Sequence, residues 1–188
     1  MGQDKAMLPH WDGSLAEHAA RSVADAAGTV TLVGAPERYA GLGFPTAADL
    51  RPGNGPLGGV ETALSMTGAD WNLVLACDMP GAEAPFLRKL LAQALGSGAD
   101  VLVPVSPTGP EPLCAVWHRR CLKEVSRALT EGRRAIHGVL AHLDVCFWRP
   151  HDSGWQANLN TPEQWERYKR GFSPGASRRA ACTGRPTR

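Results

Sequence analysis

Residues 71–80 decide the fold: Trp71-Asn-Leu-Val-Leu-Ala-Cys77 is followed directly by Asp78-Met79-Pro80. The first seven residues form a nearly continuous apolar run, which is typical of a strand buried on both faces of a parallel sheet. Pro80 disfavours helical geometry at Met79, so the strand leads into an open segment that contains Asp78. The stretch therefore predicts a buried strand with a carboxylate at its carboxyl end.

Helical patterns and apolar strands alternate on both sides of this stretch. Ser14-Leu-Ala-Glu17 has the spelling of a capping box and predicts a helix that ends at Gly28. Pro56 is placed to begin a second helix, which runs to Met66. Further helices are predicted at 84–95, 119–130, 134–141 and 161–170, and strands at 29–33, 100–105, 113–117, 145–148 and 155–158. This alternation predicts an α/β domain with an open, mainly parallel sheet.

The composition suits one globular domain. The chain has 188 residues, of which 43% are hydrophobic and 20% are charged. No apolar run approaches the roughly 20 residues that cross a bilayer, and no signal segment is recognisable, so we expect a cytoplasmic protein without membrane contact. Residues 1–170 are predicted to form the domain, and residues 171–188, which are rich in Gly, Pro, Ser and Arg, a disordered basic tail.

The excess of basic residues is confined to this tail. The formal net charge is +2, but residues 171–188 contain four arginines and no acidic residue. Because the remaining part of the chain has no basic patch, we expect no nucleic-acid partner. The five cysteines are scattered and have no CxxC spacing, which predicts buried, reduced thiols rather than disulfides or a zinc site.

Asp78 is the first candidate for chemistry. Ligands of open α/β sheets bind beyond the carboxyl ends of the strands. A lone carboxylate at that place suits Mg²⁺, which completes its octahedron with phosphates and water. A turn after a strand explains the same residue without any ligand, and both interpretations stay open on this segment alone.

Three further segments carry candidate residues, and each has a structural alternative. Asp49 precedes a loop that ends in Gly55-Pro-Leu-Gly-Gly59. The glycines of this loop allow the backbone to approach a ligand closely, but they also suit a tight connection into a helix. Lys5 can neutralise phosphate charge or stay solvated. Asn158 and Asn160 face the same way in an extended chain, so they can bind a polar ligand or close a turn.

Four separated motifs, taken in chain order, resemble one family. They are Met1-Gly-Gln-Asp-Lys5-Ala6, the loop from Asp49 to Gly59, Cys77-Asp-Met-Pro80 and Asn158-Leu-Asn-Thr-Pro162. Over residues 1–168 the chain is similar to the molybdenum cofactor guanylyltransferases. The resemblance implies a three-layer αβα, Rossmann-like nucleotidyltransferase fold. It also implies transfer of GMP from Mg-GTP to the phosphate of molybdopterin, with release of pyrophosphate.

On the nucleotide side, the resemblance implies a role for each motif. Lys5 matches the lysine that contacts the triphosphate. Asp49 and Gly55 match the elements that hold the guanosine part. Asp78 matches the aspartate that coordinates Mg²⁺. Catalysis of this kind needs positioning and charge neutralisation and no side-chain nucleophile, which agrees with the lack of any nucleophile motif.

On the acceptor side, Asn158 and Asn160 match the asparagines placed next to molybdopterin. GTP and the molybdopterin cofactor are then the implied substrates, and molybdoenzymes or their chaperones are the implied protein partners. Three other interpretations stay open: a cytidylyltransferase that makes the cytosine dinucleotide, a sugar-1-phosphate nucleotidyltransferase, and a non-catalytic relative that binds the cofactor or acts as a chaperone.

The chain departs from the family pattern at its start. Family members have a strand and a glycine-rich segment before the Met-Gly that stands here at residues 1–2. We therefore expect the first strand and the phosphate-binding glycines to be missing from the 188 residues and to be encoded in frame upstream. We also expect the short chain to be poorly stable and nearly inactive, because an unpaired strand edge and a lost phosphate loop are costly.

Overall fold

The computed structural model describes residues 5–10, 13–151 and 154–156. Helices and strands alternate in these residues, as predicted. In chain order they are β1 (Pro9–His10), β2 (Gly13–Ser14), α1 (Leu15–Ala27), β3 (Leu32–Gly34), α2 (Pro36–Tyr39), β4 (Thr46–Ala48), α3 (Gly55–Met66), β5 (Trp71–Leu75), α4 (Ala84–Ser97), β6 (Val101–Ser106), β7 (Gly109–Pro110), β8 (Cys114–His118), α5 (Leu122–Thr130), α6 (Ile136–Leu140) and β9 (Val145–Trp148), with 3-10 turns at Lys5–Met7, Ala40–Leu42 and Arg119–Cys121.

The larger sheet has β8 between β5 and β6. β8 is antiparallel to both neighbours, and β6 also pairs in parallel with β9 and forms a hairpin with β7. β5, β6 and β9 therefore run in the same direction, and their carboxyl ends lie at the same end of the sheet. The predicted α/β class and the mainly parallel strand direction are confirmed.

Alternate residues of the sheet strands pack on opposite faces. Val101 and Val103 belong to one core cluster, and Leu102 belongs to the other. The first cluster adds residues of α3, α5 and α6, whereas the second adds residues of α4 and, at its margin, Val23 and Ala26 of α1. Because side chains alternate along a strand, helices cover both faces and the domain has three layers.

β5 is less buried than its composition predicts. All five residues from Trp71 to Leu75 are half-buried, because within the described residues β5 pairs with β8 alone and forms the edge of the sheet. β3 and β4 make a separate, parallel two-stranded sheet, and α3 packs against both β3 and β5. The prediction of a strand buried on both faces is thus wrong for β5 in this part of the chain.

Local signals placed the helix ends well. Ser14 Oγ accepts a hydrogen bond from the Glu17 N–H over 3.3 Å, and the Glu17 carboxylate accepts the Ser14 N–H over 2.7 Å. This is the predicted capping box, and the helix ends as predicted at Gly28, whose φ is +81°.

Some predictions differ from the structure, and others lie beyond its described part. The strand predicted at 29–33 spans Leu32–Gly34. The predicted helix 119–130 begins with a 3-10 turn, and α5 starts at Leu122. Trp155 and Gln156 lie in a turn, so the predicted strand 155–158 is wrong at these residues. Its remainder, the predicted helix 161–170 and the tail 171–188 lie outside the described residues. No helix of the described part is both long and apolar enough to span a membrane.

Candidate functional site

Asp78 lies in the turn that leads from β5 to α4. It is half-buried, and two hydrogen bonds hold the backbone of the turn. The Ala76 N–H donates to the Leu113 carbonyl over 2.7 Å, and the Met79 N–H donates to the Ala76 carbonyl over 3.4 Å. The structure thus places Asp78 at the carboxyl end of the strand, as predicted, on a backbone that is fixed from both sides.

The residues after Asp78 are anchored in the core. Met79 is 3% exposed and packs in the cluster that contains Phe86 and Leu87 of α4. His18 of α1 donates a hydrogen bond from Nε2 to the Pro80 carbonyl over 3.0 Å. The turn around Asp78 is therefore held by the sheet, by α4 and by α1.

Asp49 and Gly55 bound the loop between β4 and α3. Asp49 follows the last residue of β4 and is half-buried. Gly55 is the first residue of α3 and has a φ of +62°, a backbone conformation that strains residues with a β-carbon. Pro56 follows within the first turn of the helix, where a missing N–H costs nothing. The Gly-Pro sequence is thus explained by the start of the helix.

The loop 49–55 and the turn of Asp78 each follow the carboxyl end of a strand. α3 follows β4, packs against β3 and β5, and leads into β5. β4 and β5 belong to separate sheets, but a helix that returns the chain between two strands commonly makes the second run in the direction of the first. We infer from this that the carboxyl ends of β4 and β5, and the residues that follow them, face the same side.

Lys5 begins a 3-10 turn that packs against α1. Its carbonyl accepts the Leu8 N–H over 3.1 Å, and the Leu8 carbonyl accepts the N–H of Leu15, the first residue of α1. Since His18 of α1 also bonds to Pro80, one helix connects the turn of Lys5 to the segment after Asp78. Asn158 and Asn160 lie outside the described residues, and their place in the site stays a prediction.

Two polar residues at this end of the sheet are not among the predicted site residues. Ser106 ends β6 and Glu111 precedes β8. Both therefore lie at the end of the sheet where Asp78 follows β5. Ser106 Oγ lies 2.8 Å from Glu111 Oε1 and 3.0 Å from the Gly109 carbonyl oxygen. A polar residue at the end of the apolar run 101–105 is the same signal that pointed to Asp78.

The surroundings of Asp78 suit a metal ion that takes few protein ligands. Among residues 5–10, 13–151 and 154–156, no group of three or more His, Cys, Asp or Glu side chains can hold a metal ion. A single half-buried carboxylate fits Mg²⁺, which is commonly bound by one or two carboxylates together with phosphate oxygens. It does not fit zinc, which needs three or four protein ligands.

The buried thiols are not placed to act as nucleophiles. Burial, strengthened by the Glu111 carboxylate, raises the pKa of the Cys114 thiol. Burial, with a smaller contribution from Asp100, raises the pKa of Cys121 to about 12. Both side chains are therefore neutral at physiological pH, and the prediction of buried, reduced thiols is confirmed for these two.

The chain is similar in sequence to known nucleotidyltransferases. The model of the MobA-like NTP transferase domain matches residues 1–145. A probable molybdenum cofactor guanylyltransferase from Nostoc sp. is 32% identical over 168 residues, which cover 87% of this chain and 81% of that protein. The molybdenum cofactor guanylyltransferase of Desulfosudis oleivorans is 30% identical over 166 residues, which cover 78% of this chain and 75% of that protein.

A solved structure has the same fold over most of its length. The molybdopterin-guanine dinucleotide biosynthesis protein A from Archaeoglobus fulgidus superposes with a TM-score of 0.75 at 25% identity, and the match covers 90% of each chain. The resemblance seen in the four motifs is confirmed. The chain therefore belongs to the MobA-like NTP transferase family, and it is a nucleotidyltransferase with the Rossmann-like fold of that family.

Proposed function

We propose that this protein transfers GMP from Mg-GTP to the phosphate of molybdopterin and forms the guanine dinucleotide cofactor. An oxygen of the molybdopterin phosphate attacks the α-phosphorus of GTP, the bond from this phosphorus to the β-bridging oxygen breaks, and pyrophosphate leaves. The observation that carries the proposal is that the 49–55 loop and the turn of Asp78 each follow the carboxyl end of a strand, β4 and β5, and that α3 connects the two strands. The names of the relatives from Nostoc sp. and Desulfosudis oleivorans support it.

Charge neutralisation is the main requirement of this reaction, because attacking group and target are both anionic phosphates. Nucleotidyltransferases of this family typically use a divalent metal ion. We assign Asp78 as the carboxylate that holds Mg²⁺ against the phosphates, where the ion would neutralise charge and orient the leaving group. Lys5 supplies a second positive charge to the triphosphate. No protein nucleophile is required, in agreement with the neutral thiols of Cys114 and Cys121.

The base and the acceptor occupy different parts of the site in this proposal. Asp49 and Gly55, at the carboxyl end of β4 and the start of α3, hold the guanosine. Asn158 and Asn160 bind molybdopterin. The product then passes to molybdoenzymes or their chaperones, and the reaction takes place in the cytoplasm.

The choice of nucleotide provides the test. Purified full-length protein is incubated with molybdopterin, Mg²⁺ and equal concentrations of GTP and CTP, and the dinucleotide products are separated and identified by mass. We expect the guanine dinucleotide to form faster. Faster formation of the cytosine dinucleotide would make the protein a cytidylyltransferase, and binding of molybdopterin without any nucleotide transfer would make it a cofactor-binding protein.

A further inference from the structure

Side chains of α3 hold the loop that leads into this helix. The Leu50 N–H donates to Thr62 Oγ1 over 3.0 Å, and Thr62 Oγ1 donates in turn to the Gly58 carbonyl over 2.9 Å. The Arg51 carbonyl accepts two hydrogen bonds from Asn54, from its N–H over 3.3 Å and from Nδ2 over 3.0 Å. The loop is therefore bound to the helix at Leu50 and closed on itself between Arg51 and Asn54.

An ion pair adds a further connection. Glu61 lies in the second turn of α3 with only 4% of its side chain exposed, and its Oε2 is 3.1 Å from Nε of Arg51. The contact is an attraction between charges, because Glu61 Oε2 accepts no hydrogen bond within the described residues. Arg51 is 38% exposed, and its Nη1 also donates to Thr130 Oγ1 at the end of α5 over 3.0 Å. One arginine thus connects the loop to α3 and to α5.

The burial of Glu61 indicates a role in geometry. A buried carboxylate is costly to desolvate, and an ion pair of this kind contributes little net stability compared with apolar residues of the same size. What the pair provides is a defined position for the guanidinium, because two opposite charges in contact attract each other strongly where water is partly excluded. The arrangement it determines is that of Arg51, two residues after Asp49 and four before Gly55.

We propose that Glu61 is a positioning residue for nucleotide binding. Through Arg51, its carboxylate holds the 49–55 loop in the conformation that presents Asp49 and Gly55 to the nucleotide. The inference rests on the proposed function for the identity of the ligand, but the ordering of the loop by Glu61 is independent of it. Glu61 itself does not touch the substrate in this proposal.

The test compares Glu61→Gln with the parent and with Glu124→Gln. Glu124 is the control, because its carboxylate also pairs with arginines, but with Arg127 and Arg133 instead of Arg51. Hydrogen exchange of peptides covering residues 49–57 reports the order of the loop without any ligand. GTP and CTP affinities, and the KM for nucleotide and for molybdopterin, report the consequence for binding.

In Glu61→Gln we expect exchange in residues 49–57 and the KM for GTP both to rise about fivefold, the effect of weakening one charged contact. Exchange in β6 and β8, the KM for molybdopterin and the melting temperature should stay close to the parent values. Arg51→Gln should reproduce the effect, since it removes the positive charge that Glu61 attracts, and it tests the proposal even if Glu61→Gln folds poorly. Arg51→Gln combined with Glu61→Gln should be no worse than either alone, because the two residues act as one unit.

Unchanged exchange in residues 49–57, or an equal rise in KM for both substrates, would overturn the positioning role. So would a loss of nucleotide affinity fully explained by a lower melting temperature. If the parent binds CTP more tightly than GTP, the proposed function fails, but Glu61→Gln must still loosen the loop and weaken CTP. If the parent binds neither nucleotide, both proposals fail.

Discussion

His18 of α1 and Pro80, 62 residues later in the chain, are joined by a hydrogen bond of 3.0 Å from Nε2 to the carbonyl oxygen. The same helix packs against the 3-10 turn that begins with Lys5. Two segments that the sequence shows as unrelated motifs are thus connected by one helix, and the connection ends two residues from Asp78.

Because of this hydrogen bond, we expect His18 to affect metal-dependent nucleotide binding through the backbone next to Asp78. We expect His18→Ala to weaken Mg²⁺-dependent GTP binding about fivefold, since one neutral hydrogen bond contributes about 1 kcal/mol. Titration of GTP binding with Mg²⁺ would measure the change. His137→Ala is the control, because His137 is exposed on α6. Equal Mg²⁺ dependence in both variants would show that the turn of Asp78 holds without His18.

Asp78→Asn should abolish turnover while leaving the fold intact. Loss of the carboxylate removes the proposed metal ligand, and we expect the rate to fall by more than tenfold, or about 1.4 kcal/mol of barrier. Asp70→Asn is the matched control, because Asp70 precedes β5 at the opposite end of the strand. Initial rates and melting temperatures of both variants provide the measurement. A rate of Asp78→Asn within about tenfold of the parent would place the metal elsewhere.

The double variant Asn158→Ala, Asn160→Ala should raise the KM for molybdopterin by tenfold or more, about 1.4 kcal/mol for two lost amides, and leave GTP affinity unchanged. Steady-state kinetics with each substrate varied in turn would separate the two effects. Asn72→Ala is the control for loss of a side-chain amide. The Asn72 amide donates to the Ala69 carbonyl at the start of β5, whereas Asp78 follows the end of this strand. A fall in GTP affinity with unchanged molybdopterin affinity would reverse the assigned roles.

Asp100 is expected to make stability depend on pH. Burial by itself would raise the pKa of Asp100, but hydrogen bonds from the Asp144 N–H and the Arg120 side chain outweigh it and hold the pKa below its ordinary value of 3.8. A carboxyl whose pKa is lower in the folded than in the unfolded protein stabilises the fold above its ordinary pKa. This contribution is lost as the pH falls through the lowered value.

Asp100→Asn should therefore reduce the free energy of unfolding by about 1 kcal/mol at neutral pH and by progressively less below pH 3.8. Urea denaturation at neutral and acidic pH would measure it. The control is Asp25→Asn, because Asp25 is exposed at the end of α1. A stability difference that stays constant as the pH falls would show that the charge of Asp100 is not responsible.

The edge position of β5 predicts uneven hydrogen exchange. Within the described residues β5 has β8 as its one partner, whereas β8 is paired on both sides. We therefore expect the amide hydrogens of β5 that point away from β8 to exchange at least about tenfold faster than those of β8, as measured by NMR. Equal protection would mean that a further strand covers this edge.

Much of the architecture follows from local signals. Ser14, Glu17 and Gly28 determine where α1 begins and ends, because capping depends on residues within a turn of each other. The apolar run 71–77 and Asp78 likewise indicate a strand with a carboxylate at its end. Four motifs in one order were enough to identify the family.

Other features depended on contacts between distant segments. β8 lies between β5 and β6, and this leaves β5 as an edge strand. The alternation of helices and strands in the sequence does not determine which strands pair. The bond from His18 to Pro80 and the pair of Glu61 with Arg51 are formed by ordinary helix residues that carry no motif. The first contact exists because α1 packs next to the turn of Asp78 in the folded chain. The second exists because Glu61 is buried on the side of α3 that faces the loop, and a buried charged side chain needs a partner.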